Sequence, residues 1–172
     1  DLPGGYISGG DLKSLKPITT FNDAYFRDGV AESSKHAWYT GDKALHPFVG
    51  ETEPQYTDFQ DNGKYSWVKA PTFYGKRAEV GPLADVHVGV ASGNKRYVKY
   101  LNEAIGTMKA VGKLSDVPLI ALQSTIGRHA ARAVRCAVMI DTLNDQWEKL
   151  VANIGKDQTT FNAPSFPKGE IK

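Results

Sequence analysis

The longest continuous pattern in this sequence is an apolar repeat between Ser124 and Ile154. Its apolar residues are separated by three or four positions, the spacing that places side chains on one face of an α-helix. These positions are Ile126, Ala130, Ala133, Ala137, Ile140, Leu143, Trp147, Leu150 and Ile154. The pattern predicts a helix of roughly eight turns whose apolar face packs on neighbouring helices. Gly155 is expected to end this helix in a left-handed conformation.

Two shorter helices are predicted before the long one. Gly81-Pro82 begins the first, because proline is tolerated in the first helical turn, and this helix is expected to stop near Gly93. The second is expected from about Lys95 to Val111, with an apolar stripe at helical spacing formed by Val98, Leu101, Ile105 and Met108. Residues 81–155 are therefore predicted to be helical, and residues 156–172 to form an exit loop.

The first part of the chain, residues 1–80, favours loops and short strands. Asn22 or Asp23 would cap a short helix, since a side-chain oxygen there accepts a free backbone N–H. Proline has no N–H to donate to a neighbouring strand, so the prolines of this region argue against long central strands. The best strand candidate is Tyr65–Lys69. The fold class expected from the whole pattern is α+β, with an irregular, short-stranded first half followed by a helical half.

Composition excludes several classes of protein. Cys136 is the only cysteine, so an internal disulfide and a metal site built from several cysteines are both excluded. A net charge of +2 is too small to indicate nucleic acid as a partner. The apolar runs are short and interrupted by charged residues, so we expect no segment that spans a bilayer.

The histidines and arginines do not form a motif that indicates catalysis. No two of the four histidines stand at the i, i+4 spacing that puts two metal ligands on one helix face. His87 and His129 are expected to be hydrogen-bonded or surface residues. Arg128, Arg132 and Arg135 would form a basic ridge on the long helix, and acidic residues further along it favour a solvated or partner-facing surface over a nucleic-acid contact.

An ordered series of short motifs resembles the central part of nickel–iron hydrogenase large subunits. The stretches that match are residues 36–39 (HAWY), 46–56 (HPFVGETEPQY), 65–71 (YSWVKAP), 79–84 (EVGPLA), 123–128 (QSTIGR) and 131–132 (AR). Each stretch is weak alone, but their order and spacing together are specific. Thr72 and Asp85 stand where that family often has arginine, which puts in doubt any salt bridge inferred for those two places.

The resemblance implies a heterodimeric enzyme that splits H2 reversibly into protons and electrons. Its nickel–iron centre is held by two CxxC pairs near the ends of the large subunit, and neither pair occurs in this chain. We therefore expect residues 1–172 to be an internal segment of a single large-subunit domain, without catalytic residues or metal ligands. Its role would be scaffold and subunit contact, with the long helix in the family's central helical bundle.

The resemblance also implies a partner and a few contact residues. The partner is the small subunit, which contains iron–sulfur clusters, and His46 matches a histidine that lies near the proximal one. Tyr56, Trp67 and Lys69 are expected at the small-subunit interface, because aromatic residues with a polar end are favoured there. The alternative for His46 is plain packing at that interface, and the alternative for Trp67 is a core position.

Two other functions remain open at the level of sequence. The first is a stand-alone interaction module without a metal centre or catalysis, and the second is an unrelated enzyme that uses histidines and carboxylates for acid–base chemistry. An evolved module should fold alone, whereas a segment of a larger subunit exposes apolar helix faces. The expected location is periplasmic or membrane-associated through the partner, with a cytoplasmic location as the alternative.

Overall fold

The computed structural model describes residues 4–20, 22–44 and 52–161. Within these residues the chain divides into two compact units. The first contains residues 4–19 and 79–161, and the second contains the described part of residues 20–78. Helices and small antiparallel sheets both occur, so the predicted α+β class is confirmed.

The first unit consists mainly of helices. A two-stranded antiparallel sheet of β1 (Gly5–Tyr6) and β2 (Lys16–Pro17) encloses a 3-10 turn at Leu12–Ser14. The helices that follow are α2 (Pro82–Ala91), α3 (Lys95–Gly112), a 3-10 turn at Leu119–Gln123 and α4 (Thr125–Gly155). The three helices predicted from the apolar spacing are therefore confirmed within one or two residues at each end.

Local sequence explains where each of these helices begins. Gly81 has a φ of 87°, a conformation that favours glycine, and Pro82 occupies the first position of α2. The Asn94 side chain accepts hydrogen bonds from two backbone N–H groups of the first turn of α3. The Ser124 hydroxyl accepts one from the first turn of α4 at 3.1 Å. The Asn94 and Ser124 caps satisfy N–H groups that have no partner within the helix, whereas Pro82 has no N–H to satisfy.

The end of α4 differs from the prediction. Gly155 lies inside the last helical turn and is not the left-handed residue. The positive φ falls on Asp157, at 53°. Aspartate tolerates this conformation better than most residues because its short polar side chain can bond locally.

The core of the first unit is a cluster of buried side chains shared by the helices. Tyr97 and Leu122 are completely buried in it, each with 0% exposure. The members are Leu83, Val86, Tyr97, Leu101, Leu122, Ala131, Val134 and Val138. They come from α2, α3, the 3-10 turn at Leu119–Gln123 and α4, so the helices form one packed layer around Tyr97.

The face of α4 that is buried is not the face predicted from the apolar repeat. The buried residues are Gly127, Ala131, Val134 and Val138. The predicted stripe is largely exposed, including Ile140 at 59% and Trp147 at 65%. At about 100° per residue, the part of the predicted stripe from Ile140 to Ile154 lies on roughly the opposite side of the helix from these buried residues. The prediction was wrong because both sides of α4 have helical apolar spacing, and the contacts within this chain cover only one of them.

Polar contacts join the same helices beside the core. The Tyr97 hydroxyl donates to Asp85 Oδ2 at 2.7 Å, and Arg135 Nε lies 3.1 Å from the same oxygen. Asp85 thus connects α2 with both α3 and α4. Position 85, where the related family often has arginine, thus takes part in a salt bridge as the acidic partner, and α4 supplies the arginine.

The second unit contains one helix and a three-stranded sheet. Helix α1 (Ala24–Gly29) begins at Asp23, whose side chain accepts from the Tyr25 backbone N–H at 2.9 Å, so the predicted Asp23 cap is confirmed. Strands β3 (Val30–Ser33), β4 (Lys43–Ala44) and β5 (Ala70–Phe73) form an antiparallel sheet in the order β4-β3-β5. The rest of the described unit is turns and loops.

The strand predicted at Tyr65–Lys69 does not form, and β5 begins one residue later. Residues 65–69 make a single parallel bridge, between Ser66 and Ala37. The Ser66 hydroxyl accepts the Val68 backbone N–H at 2.9 Å, which turns the chain away from a ladder. Pro71 lies in β5, at the edge of the sheet, where its missing N–H costs no central hydrogen bond.

Gly89 allows α2 and α3 to approach closely, and we predict that Gly89→Ala destabilises the chain. A Cβ at this position would lie 2.3 Å from Tyr97 Cγ, and the buried ring has little room to move. Overpacking of this kind costs about 1–3 kcal/mol in the free energy of unfolding. Urea denaturation followed by circular dichroism measures this loss.

The matched control is Gly106→Ala in α3. Nothing lies within 4 Å of a Cβ at Gly106, so the same change should stabilise the helix by up to about 1 kcal/mol. Equal effects of the two substitutions would contradict the close packing at Gly89.

Candidate functional site

Four aromatic side chains of the second unit pack against one another, and we call them the aromatic surface: Trp38, Tyr39, Tyr56 and Trp67. The ring centroids of Trp38 and Tyr56 lie 4.9 Å apart, and those of Trp38 and Trp67 lie 5.2 Å apart. Tyr39 meets Trp67 at 5.7 Å. All three contacts are edge-to-face, an arrangement that aromatic rings favour because the positive edge of one meets the negative face of the other.

Trp38 is the residue at which three backbone segments meet. Its N–H donates to the Ser66 carbonyl at 2.9 Å, and its carbonyl accepts from the Gln55 N–H at 2.9 Å. Its indole Nε1 donates to the Asp58 carbonyl at 2.9 Å. The polar groups of Trp38 are therefore satisfied without a regular strand, and these bonds fix the ring relative to both neighbouring segments.

Part of the aromatic surface is open to solvent beside a charged pair. Tyr56 is 62% exposed and Trp67 is 46% exposed, while Trp38 and Tyr39 are half-buried. Lys69 Nζ lies 3.1 Å from Glu32 Oε2 and 5.0 Å from the centre of the Tyr39 ring. Exposed aromatic area next to a charged rim is typical of protein-binding surfaces.

The structure brings together the interface residues that the sequence suggested. Tyr56 and Trp67 stack with their ring centroids 6.2 Å apart. Lys69 Nζ lies over the ring of Tyr39, which belongs to the same aromatic surface. Within this chain Trp67 does not lie in a core, since nearly half of it is exposed. Sequence reasoning missed Trp38 and Tyr39, although their position beside His36 in a recognised motif was a usable signal. Contact with a partner stays a prediction for all of them.

The histidines lie in different surroundings. His46 lies outside the described residues. His36 Nδ1 lies 2.8 Å from the Gly63 carbonyl, and its ring stacks on Tyr65 at 5.3 Å. His129 is exposed on α4, as expected for a surface residue. His36 therefore supports the second unit beside the aromatic surface.

His87 on α2 is half-buried, and the atom that departs from the expectation of a hydrogen-bonded residue is Nε2. That atom is buried and has no hydrogen-bond partner among the described residues. Burial lowers the pKa of His87 because the charged imidazolium loses hydration, and the Glu79 carboxylate opposes this in part. Glu79 is hydrogen-bonded to Arg128, which lowers the pKa of Glu79. The expectation of a hydrogen-bonded or surface His87 was thus wrong for this nitrogen.

The residues of this chain do not fit the thiolate centre that the resemblance implies. That centre needs four cysteines, and the sequence contains only Cys136, whose side chain is exposed. Within the described ranges, histidine, cysteine, aspartate and glutamate form no group of three or more that could hold a metal ion. No step of metal chemistry is therefore assigned to these residues.

The basic ridge on α4 is largely neutralised within the first unit. Arg128 pairs with Glu79, and Arg135 pairs with Asp85. Pairing with carboxylates cancels the charge of two of the three arginines, so this surface lacks the net positive charge that favours nucleic acid. In the part of the chain that the structure describes, we find no helix that is both long and apolar enough to cross a membrane.

Comparison with known proteins gives a match over the entire chain. The sequence model of the nickel-dependent hydrogenase family matches residues 1–172. The Hydrogenase-2 large chain of Escherichia coli (strain K12) is 46% identical over 174 residues, which cover 99% of this chain and 30% of that protein. The resemblance drawn from the short motifs is thereby confirmed.

More distant relatives have related names. The Quinone-reactive Ni/Fe-hydrogenase large chain of Wolinella succinogenes is 34% identical over 184 residues, covering 96% of this chain and 30% of that protein. The Uptake hydrogenase large subunit of Azotobacter chroococcum mcd 1 is 31% identical over 182 residues, with the same two coverages. The chain thus spans about 30% of the length of these curated relatives.

We predict that His87→Gln changes how stability depends on pH. The folded pKa of His87 is lowered below its ordinary value of 6.5, so the unfolded chain takes up a proton that the folded chain resists. The wild-type chain should therefore lose stability relative to His87→Gln as the pH falls from about 7.5 to about 5. Urea unfolding of both chains across this range measures the difference.

The titration of the Glu79 carboxyl does not interfere with this measurement. Its lowered pKa places its contribution in a more acidic window, and Glu79 is present in both chains. A difference in unfolding free energy that stays constant with pH would contradict a buried, neutral His87.

Proposed function

Because this chain belongs to the nickel-dependent hydrogenase family, we propose that it is an internal segment of a hydrogenase large subunit. The whole enzyme would interconvert one H2 molecule with two protons and two electrons. The segment itself would be inactive and would supply scaffold and subunit contacts. The support is a family match over all of residues 1–172, combined with relatives named as hydrogenase large chains of which the chain spans 30%.

The uncovered face of α4 is the observation that most favours a segment over a stand-alone module. Six apolar side chains on this face are each at least 52% exposed: Ile126, Ile140, Leu143, Trp147, Val151 and Ile154. Five of these six lie between Ile140 and Ile154, a rise of about 21 Å, so the exposed stripe is concentrated in the second half of the helix. Monomeric proteins rarely expose contiguous apolar area on this scale. We therefore propose that other helices of the same large subunit cover it.

The nickel–iron centre would be held by residues outside this chain. Soft thiolates suit such a centre, and one exposed cysteine cannot replace four. The described residues would contribute to it indirectly, by packing the helices that support the rest of the subunit. The closely packed core around Tyr97 supports this scaffold role.

The proposed partner is the hydrogenase small subunit, an iron–sulfur protein. The names of the relatives, large chain and large subunit, indicate an assembly with a smaller chain. On this chain the aromatic surface and Lys69 offer the features of an interface: exposed rings, polar tips and a charged rim. We further propose that His46 lies near an iron–sulfur cluster of that partner. The enzyme would be periplasmic or membrane-associated through the partner, with the cytoplasm as the alternative.

The intact mass of the native polypeptide tests the segment proposal. Under denaturing conditions we expect a mass well above 18.8 kDa, because the α4 stripe requires further helices. The native protein should also reduce an artificial electron acceptor under H2. A mass equal to that of 172 residues, without H2-dependent reduction, would favour the stand-alone interaction module instead.

Substitution of the aromatic surface tests the partner contact. In the full-length large subunit, Trp67→Ala should weaken binding of the small subunit about tenfold, since buried tryptophans are frequent hot spots of interfaces. Binding is measured by surface plasmon resonance or by co-purification yield. Phe59→Ala is the matched control, because Phe59 is 68% exposed but belongs to none of these ring contacts. Equal effects of the two substitutions would count against the aromatic surface as the contact.

A further inference from the structure

The Lys64 side chain ends in a group of three backbone carbonyls. Its Nζ donates to the carbonyls of Ser34 and Ala37 at 2.9 Å each, and to that of Gly41 at 3.2 Å. A lysine ammonium has three N–H donors, so each one has a partner. The side chain is half-buried, which makes these charge-assisted bonds stronger than they would be in open water.

The three carbonyls belong to one tight loop, residues 34–42. The loop is closed by the Ser34 N–H, which donates to the Asp42 carbonyl at 2.9 Å. The fully buried Ser34 hydroxyl donates to the Gly41 carbonyl at 3.1 Å. Carbonyl oxygens that converge on one point repel one another through their partial negative charges. A cation at that point removes the repulsion, so the loop shape depends on the charge that Lys64 supplies.

The loop and the lysine lie on two of the three segments that form the aromatic surface, and the third carries Tyr56. Trp38 and Tyr39 belong to loop 34–42. Lys64 stands three residues before Trp67, and the intervening Ser66 accepts the Trp38 N–H at 2.9 Å. The Lys64 ammonium therefore bonds the Ala37 carbonyl directly before Trp38, and the backbone bond uses the N–H of Trp38 itself. Both bonds join loop 34–42 to the segment that carries Trp67.

We propose that Lys64 is the positioning residue of the aromatic surface: its ammonium holds loop 34–42 in the shape that sets Trp38 and Tyr39 against Trp67. The consequence for partner binding rests on the proposed contact with the small subunit, whereas the consequence for the loop does not. Lys64 itself need not touch the partner.

The geometry requires an ammonium rather than another long side chain. Methionine has a similar length but no donors, so the three carbonyls would lose the cation and keep only neutral donors, namely the Ala37 N–H, the Tyr39 N–H and the Ser34 hydroxyl. Arginine keeps the charge, but its planar fork directs donors in one plane and does not match carbonyls that surround a point. Free propylammonium, in contrast, has the atoms that Lys64→Ala removes.

The test uses the full-length large subunit together with its small subunit. In Lys64→Ala, amide hydrogen exchange of residues 34–42 should become at least about tenfold faster, because the loop opens more often. Small-subunit binding should weaken about tenfold. Lys35→Ala is the matched control, since Lys35 is an exposed lysine of the same loop, and it should change neither quantity.

Chemical rescue distinguishes a positioning ammonium from general destabilisation. Propylammonium should restore slow exchange and tight binding to Lys64→Ala. Tetramethylammonium, which has the charge but no N–H donors, should not. Equal rescue by both ions, or none by propylammonium, would overturn the proposal.

The two hypotheses fail in different ways. If Lys64→Ala leaves exchange of residues 34–42 unchanged, the positioning role of Lys64 is overturned. If exchange accelerates and propylammonium reverses it while binding stays constant, the positioning role is supported and the contact with the small subunit is refuted.

If Lys64→Ala yields no soluble subunit, Lys64→Arg provides the test. This variant should also accelerate exchange of residues 34–42, and exchange as slow as in wild type would overturn the proposal.

Discussion

The helical unit depends on the burial of one tyrosine. The Tyr97 ring is completely buried where α2, α3 and α4 meet, and its hydroxyl donates to Asp85, which also pairs with Arg135. A buried hydroxyl without a hydrogen-bond partner would cost free energy. The burial of the Tyr97 ring is therefore favourable because Asp85 accepts a hydrogen bond from its hydroxyl. Gly89 makes the arrangement possible, because any side chain there would enter the ring.

Helix α4 has two apolar sides, and this property links the fold to the proposed function. Val134 and Val138 are buried in the core of this chain, while Trp147 and Ile140 on the opposite side are exposed. A helix that is apolar on opposite faces is expected to be buried on both. The first face stabilises the described unit, and the second is suited to further helices of a larger subunit.

The backbone of the second unit is held in place mainly by single polar contacts rather than by a long strand ladder. Prolines and turns keep its sheet to three short strands, so the aromatic surface cannot rely on a ladder. Backbone bonds around Trp38 and the Lys64 ammonium replace the ladder, because each satisfies several polar groups at one point. Such an arrangement leaves Tyr56 and Trp67 exposed without loosening the backbone that supports them.

The sequence by itself determined the family, the three helices of the first unit and their starts. Pro82 acts through its fixed backbone φ, and Asn94 and Ser124 act through bonds to first-turn N–H groups. It also suggested Tyr56, Trp67 and Lys69 as residues of one interface. Only the tertiary structure decided which side of α4 is buried, because both sides have helical spacing and the choice depends on distant helices. The same holds for Lys64, whose partners lie up to 30 residues away and appear only when the loop has folded around its charge.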